Sequence, residues 1–262
     1  MNKKGIIVFG LLAVLLTACG GAKASWENES AVVKSDRLLA DMVQVEWTVE
    51  EPIVRLKIAR EDSTPIEAFD VTHEKLLHLI VVSKDLSYFN HIHPEYKGGG
   101  VFEVKNDFPA GGEYRMIADF KPSGGDSMTK MAWVQVDGAA AEAVPLVRET
   151  TLSDTADRKR VSLELEGLGA ERETQLTFTV VDEATGAPVT DLEPYLGAIG
   201  HVVVLSEDGE RYVHVHAEED QGSGPEAKFE ASFPAGGLYK LWAQFQQHGE
   251  VFTVSYTVDV PN

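Results

Sequence analysis

His78-Leu-Ile-Val-Val-Ser-Lys-Asp-Leu-Ser-Tyr-Phe-Asn-His91-Ile-His93 returns later in the chain as His201-Val-Val-Val-Leu-Ser-Glu-Asp-Gly-Glu-Arg-Tyr-Val-His214-Val-His216. In each copy a strand-like apolar run opens on histidine, turns at an aspartate and closes on His-x-His. The second and third histidines stand 13 and 15 residues after the first. Downstream, Phe108-Pro-Ala-Gly-Gly-Glu-Tyr114 recurs as Phe233-Pro-Ala-Gly-Gly-Leu-Tyr239, and Thr64-Pro65 and Ala187-Pro188 hold matching places upstream. This is a tandem duplication, and its period of about 125 residues is long enough for each copy to build its own core.

Within a copy the pattern is of short strands bounded by Gly, Pro and Asp, with no helical period. Val54 to Ala59, Leu76 to Ser83, Ser87 to His93, Val101 to Val104, Tyr114 to Phe120 and Met131 to Val136 alternate or run apolar over strand lengths. Spacing of this kind predicts an all-β chain of two tandem antiparallel β-sandwiches, immunoglobulin-like or cupredoxin-like. The Pro-Ala-Gly-Gly-x-Tyr corners place Tyr114 and Tyr239 as structural corner tyrosines, not catalytic ones. The expected organisation is a signal peptide over residues 1–18, a lipidated tether over 19–40, a first sandwich over 41–137, a linker over 138–150 and a second sandwich over 151–262.

The first 18 residues carry Lys3 and Lys4, then an apolar run from Gly5 to Ala18 that is too short to span a bilayer as a helix. Leu16-Thr17-Ala18-Cys19-Gly20 resembles the lipobox of bacterial lipoproteins, which implies acylation of Cys19 and a membrane-anchored chain on the extracytoplasmic face. Cys19 is the sole cysteine, so the exported part has no intramolecular disulfide. Removing residues 1–18 takes away two lysines and no acids, leaving 21 basic against 42 acidic side chains, a formal charge of −21. Such a surface repels nucleic acid and anionic lipid.

Turn chemistry sets the histidine geometry. Asp208-Gly209 read as a two-residue type I′ hairpin turn pairs residues whose numbers sum to 417, so that His201 faces His216. Asp85-Leu86 in the same role pairs residues summing to 171, and His78 faces His93. Cross-strand Cβ atoms sit about 5 Å apart, so His78, His91 and His93, and likewise His201, His214 and His216, share one face. Each trio is a candidate three-histidine site for copper or zinc, since imidazole suits these ions and Ca or Mg prefer oxygen. Further candidate ligands are His73, Met128 and Met131 in the first copy and His248 in the second. A blue-copper centre would need a thiolate, and no cysteine follows Cys19.

The apolar strand opening on His, the His-x-His and the Phe-Pro-Ala-Gly-Gly-x-Tyr segment together resemble bacterial exported proteins with immunoglobulin-like YtkA-type or heavy-metal-associated domains, over roughly residues 45–137 and 160–260. The resemblance implies exported sandwiches that handle metal, and it names no substrate. The expected function is non-enzymatic metal buffering or delivery, one three-histidine site per sandwich, with a metal transporter or metalloprotein as partner. A structural or adhesive surface module without metal is the alternative. A zinc-dependent hydratase or hydrolase stands behind both, because His-x-His plus a third histidine on the neighbouring strand also resembles the ligand layout of α-type carbonic anhydrases.

Overall fold

A computed structural model describes residues 40–262, so Cys19, the expected signal peptide and all but the last residue of the expected tether lie outside the described residues. Nine strands build the first sandwich: β1 Val43–Glu50, β2 Ile53–Arg60, β3 Phe69–Asp70, β4 Leu77–Ser83, β5 Phe89–Ile92, β6 Glu95–Gly98, β7 Val101–Lys105, β8 Gly112–Pro122 and β9 Met128–Val136. One layer runs β1-β2-β7-β6, and the other runs β3-β8-β4-β5 with β9 on the far side of β8. The second sandwich comprises β10 Ser153–Ala156, β11 Lys159–Glu166, β12 Glu173–Asp182, β13 His201–Ser206, β14 Tyr212–Val213, β15 Val215–Ala217, β16 Glu226–Ser232, β17 Gly237–Gln247 and β18 Glu250–Val260. Its layers are β10-β11-β12-β16-β15 and β14-β13-β17-β18. All strand pairs in these sheets are antiparallel, and no described helix is long and apolar enough to cross a membrane.

Each sandwich closes on its own apolar core, Leu56, Leu79, Phe102 and Met116 in the first, and Phe178, Phe229, Leu241 and Phe245 in the second. The corner tyrosines do what their position predicts: Tyr114 Oη donates to the Ala110 carbonyl at 2.8 Å and Tyr239 Oη to the Ala235 carbonyl at 2.9 Å.

The apolar runs at β4 and β13 are continuous because these strands are covered on both faces. Leu77, Leu79 and Val81 point into the first core, whereas Ile80 and Val82 point the other way and are equally buried. They meet Val203, Leu205 and Trp242 of the second sandwich, joined by Ile117 and, at the margin, Phe89 and Tyr212. Ile80 and Val203, Val82 and Leu205, Phe89 and Tyr212, and Ile117 and Trp242 occupy equivalent places in the two copies. The same surface of each copy therefore packs against the other, as in an isologous dimer fused into one chain.

Polar contacts fix the rim. Arg115 Nη2 reaches Glu210 Oε2 at 2.8 Å, and Trp133 Nε1 donates to the other oxygen of Glu210 at 2.8 Å. Asp85 accepts from the Val144 amide at 2.8 Å and from Ser83 and Ser87, which holds its carboxyl down to about 2 and ties the connecting segment to the β4–β5 turn.

Trp242 is 4% exposed and stacks on Phe89 across the interface, with ring centroids 4.8 Å apart and planes 13° apart. Trp242→Ala should cost about 3–5 kcal/mol of unfolding free energy, read from the denaturant midpoint at unchanged slope. A loss below about 1 kcal/mol, at the low end for core substitutions, would mean that this stack does not hold the two halves together.

Candidate metal centre at the sandwich interface

The anticipated register is present, although the turn that sets it is not type I′. Ile80 faces His91 and Leu79 faces Ile92 in the first copy, and Val204 faces Val213 in the second, which obey the sums of 171 and 417. Gly209 takes φ 72° while Asp208 stays in the ordinary region and accepts from the Glu210 amide at 3.0 Å. The loop is thus four residues long, closed by Ser206 N to the Arg211 carbonyl at 3.0 Å, and centred where a two-residue turn would be. The same centring preserves the pairing.

The two copies then diverge. In the first, His78, His91 and His93 converge: one nitrogen from each lies within 4.8 Å of the others, and their ring centroids are 4.9 to 5.4 Å apart. In the second, the strand leaves the β13 sheet at His214, and β15 joins β16 in the opposite layer. His216 therefore does not face His201, and the expectation of an equivalent second trio fails. His214 and His216 remain together, rings 4.3 Å apart and exposed. His201 instead stacks on His78, with centroids at 5.8 Å and planes 5° apart, and lies 5.0 Å from His91. It belongs to the first copy's cluster.

Of the further candidates, His73 joins this group, 6.0 Å from His78 and 5.8 Å from His201. It sits in a two-residue turn, Thr72 to Lys75, in which His73 and Glu74 both take positive φ, 46° and 65°. The equivalent turn of the second copy carries Leu196 and Gly197 at φ 55° and 80°. Where the second copy places a glycine, the first strains a side chain. Met128 is packed in the first core, Met131 packs against the interface, and His248 sits in an exposed turn with Nε2 3.0 Å from Asp191.

Two acceptors fix the ring tautomers. His78 Nε2 donates to the Thr72 carbonyl at 3.0 Å, so its Nδ1 carries the lone pair. His91 Nδ1 donates to Gln244 Oε1 at 2.8 Å, and Gln244 keeps its own amide for Thr253 Oγ1 at 3.2 Å, which leaves the His91 Nε2 lone pair bare. His78 Nδ1 and His91 Nε2 then face each other at 3.2 Å. Two lone pairs at that distance repel unless a cation stands between them. A proton there would make one of the two rings an imidazolium, but burial holds both His78 and His91 below the usual histidine value. Two nitrogens on one tetrahedral ion at about 2.0–2.1 Å stand about 3.3 Å apart. The third member, His93, has a buried Nε2 without a hydrogen-bond partner among the described residues.

Burial keeps His78, His91, His93 and His201 neutral. It lowers His91 well below the ordinary histidine value, His93 to about 4 and His201 to about 3, with repulsion among the rings acting in the same sense. Asp119, the cross-strand neighbour of His78, is the nearby carboxylate and pulls His78 and His214 upward. A cleft of about 1350 Å³ between the sandwiches reaches His73, His78, His201, His214 and His216, so the cluster has a route to solvent.

An unfolded chain binds protons at these histidines near pH 6.5, whereas the folded one resists them to about 4 at His93 and about 3 at His201. Stability is therefore full above pH 6.5 and falls on acidification through that window. Melting temperatures measured in chelator from pH 7.5 to 4.5 should drop steadily below 6.5. A flat profile would show that the rings are not held neutral.

A family model described as Domain of unknown function (DUF8832) matches residues 41–138 and again 154–262. No curated protein matches the chain. Among solved structures, the chain is similar to invasin, a bacterial integrin-binding protein, at 9% identity and TM-score 0.26, over 83% of this chain and 39% of that one. It is also similar to domains 4 and 5 of the S-layer protein SbsC, at 12% identity and TM-score 0.25, over 82% and 84%. A third similarity, to a two-domain fibronectin type III segment of chicken tenascin, has 14% identity and TM-score 0.25 over 83% and 98%. The chain spans about two fifths of the invasin it matches. Nothing about the histidine cluster follows from these likenesses.

Proposed function

Because the chain belongs to the family Domain of unknown function (DUF8832), whose description assigns no activity, we propose a function from its geometry: it holds a single copper or zinc ion at His78, His91 and His93. The observation that carries this reading is the pair of lone pairs at His78 Nδ1 and His91 Nε2, 3.2 Å apart, each ring fixed by an acceptor on its far nitrogen. Metal-bound histidines are commonly held this way, the non-ligating N–H donating to a carbonyl or carboxylate. The segment around Cys19 resembles a lipobox, which supports a role outside the cytoplasm, on a membrane-anchored protein that buffers metal or hands it to a transporter or metalloprotein. The role is one of holding, not of catalysis.

The second reading, a structural or adhesive surface module, draws on the apolar interface that joins the two sandwiches through Ile80, Val82, Val203, Leu205 and Trp242. A spacer needs such stiffness, and in that case the histidines would serve only as interface packing.

Zinc and anaerobic Cu(I) titrations of the purified protein separate the two. One tight equivalent per chain is expected, lost in His91→Ala and in His78→Ala and accompanied in the wild type by a rise in melting temperature. His248→Ala should bind as the wild type does. Absence of tight binding for both ions in the wild type would leave the spacer reading standing.

A further inference from the structure

Resting on that metal site, we propose that the centre is shared between the two sandwiches: Gln244 of the second is a positioning residue for His91, and His201 of the second supplies the fourth donor. The two lie side by side, since His201 of β13 pairs directly with Gln244 of β17 on the face turned to the first sandwich.

Four imidazoles on one tetrahedral ion at about 2.0–2.1 Å have ring centroids roughly 5 Å apart. The triad meets this at 4.9 to 5.4 Å. His201 meets it against His91, at 5.0 Å, and nearly so against His78, at 5.8 Å. It stands outside the group whose nitrogens all lie within 4.8 Å of one another. With its plane 5° from that of His78, the His201 ring must turn to aim a nitrogen at the ion the triad holds. No side chain among the described residues hydrogen-bonds the His201 ring, so no existing bond opposes the turn.

The fused two-fold arrangement explains why only one such centre is built. The place held by Gln244 in the second copy is held by Asp119 in the first, and Asp119 accepts from Tyr212 Oη at 3.0 Å and from Thr129. Gln244 orients His91 at 2.8 Å, whereas His214, its counterpart, sits where the strand has already left its sheet. One half thus provides the triad and the other provides its support and closing ligand. An ion there bridges the interface and binds the two sandwiches to each other.

The test uses the full chain, zinc titrated against a chromophoric chelator, and the visible spectrum of the cobalt(II)-loaded protein as a report of donor number. Gln244→Leu should weaken zinc binding by about 10–100-fold, and Gln244→Glu, which keeps an acceptor for His91 Nδ1, should restore it. His201→Ala should weaken binding at least tenfold and shift the cobalt spectrum, while His214→Ala/His216→Ala leaves the spectrum unchanged. A cooperative melt confirms that each variant folds. Wild-type binding with Gln244→Leu and His201→Ala unaltered overturns the shared centre and leaves the triad intact. A wild type that takes up no zinc and no cobalt removes the triad and this inference with it.

Discussion

Contact between the outward faces of β4–β5 and β13–β17 governs the rest of the molecule. Ile80, Val82, Val203, Leu205 and Trp242 remove from water a surface that a lone sandwich would expose. His78, His91 and His201 share these faces, so the packing that joins the two halves also desolvates their rings, holds them neutral and sets Gln244 beside His91. Hydrophobic burial is non-directional. The specificity here comes from what the apolar contact carries with it: an acceptor for each of two ring N–H groups and no proton for the two nitrogens between them.

Duplication then became asymmetric. Both halves bring a histidine to the start of the buried strand and His-x-His to its neighbour, but only the first keeps its three together. The strained Thr72–Lys75 turn serves that half twice, supplying the carbonyl that fixes His78 and carrying His73 over the cleft. In the second half the chain crosses to the opposite layer at His214, and its first histidine is given over to the neighbouring cluster. A two-fold packing of equal halves places His78 against His201 at its centre, and the divergence on either side makes one well-formed site and one open pair.

Much of this was readable beforehand, because it depends on short stretches of chain. Turn composition centred the hairpins, and the pairing of Ile80 with His91 and Val204 with Val213 follows although the loop itself is longer than a type I′ turn. The corner role of Tyr114 and Tyr239 came from a seven-residue segment. A further signal lay in plain view in the runs Leu79 to Val82 and Val202 to Leu205, whose unbroken apolar character marks strands covered on both sides and so points to an interface. His201 and Gln244 had no such mark: a histidine assigned to its own copy and a glutamine within a strand acquire their roles from a surface 108 or more residues away in sequence.

From the sequence alone follow two all-β halves, the centring of their hairpins and a shared face for His78, His91 and His93, since the two-residue period and turn geometry are local properties of the chain. What covers that face was decided only by the tertiary structure. Periodicity tells which side chains point together, but the body that packs over them is chosen by non-local burial, and that choice brought His201 and Gln244 to the triad while parting His214 and His216 from His201.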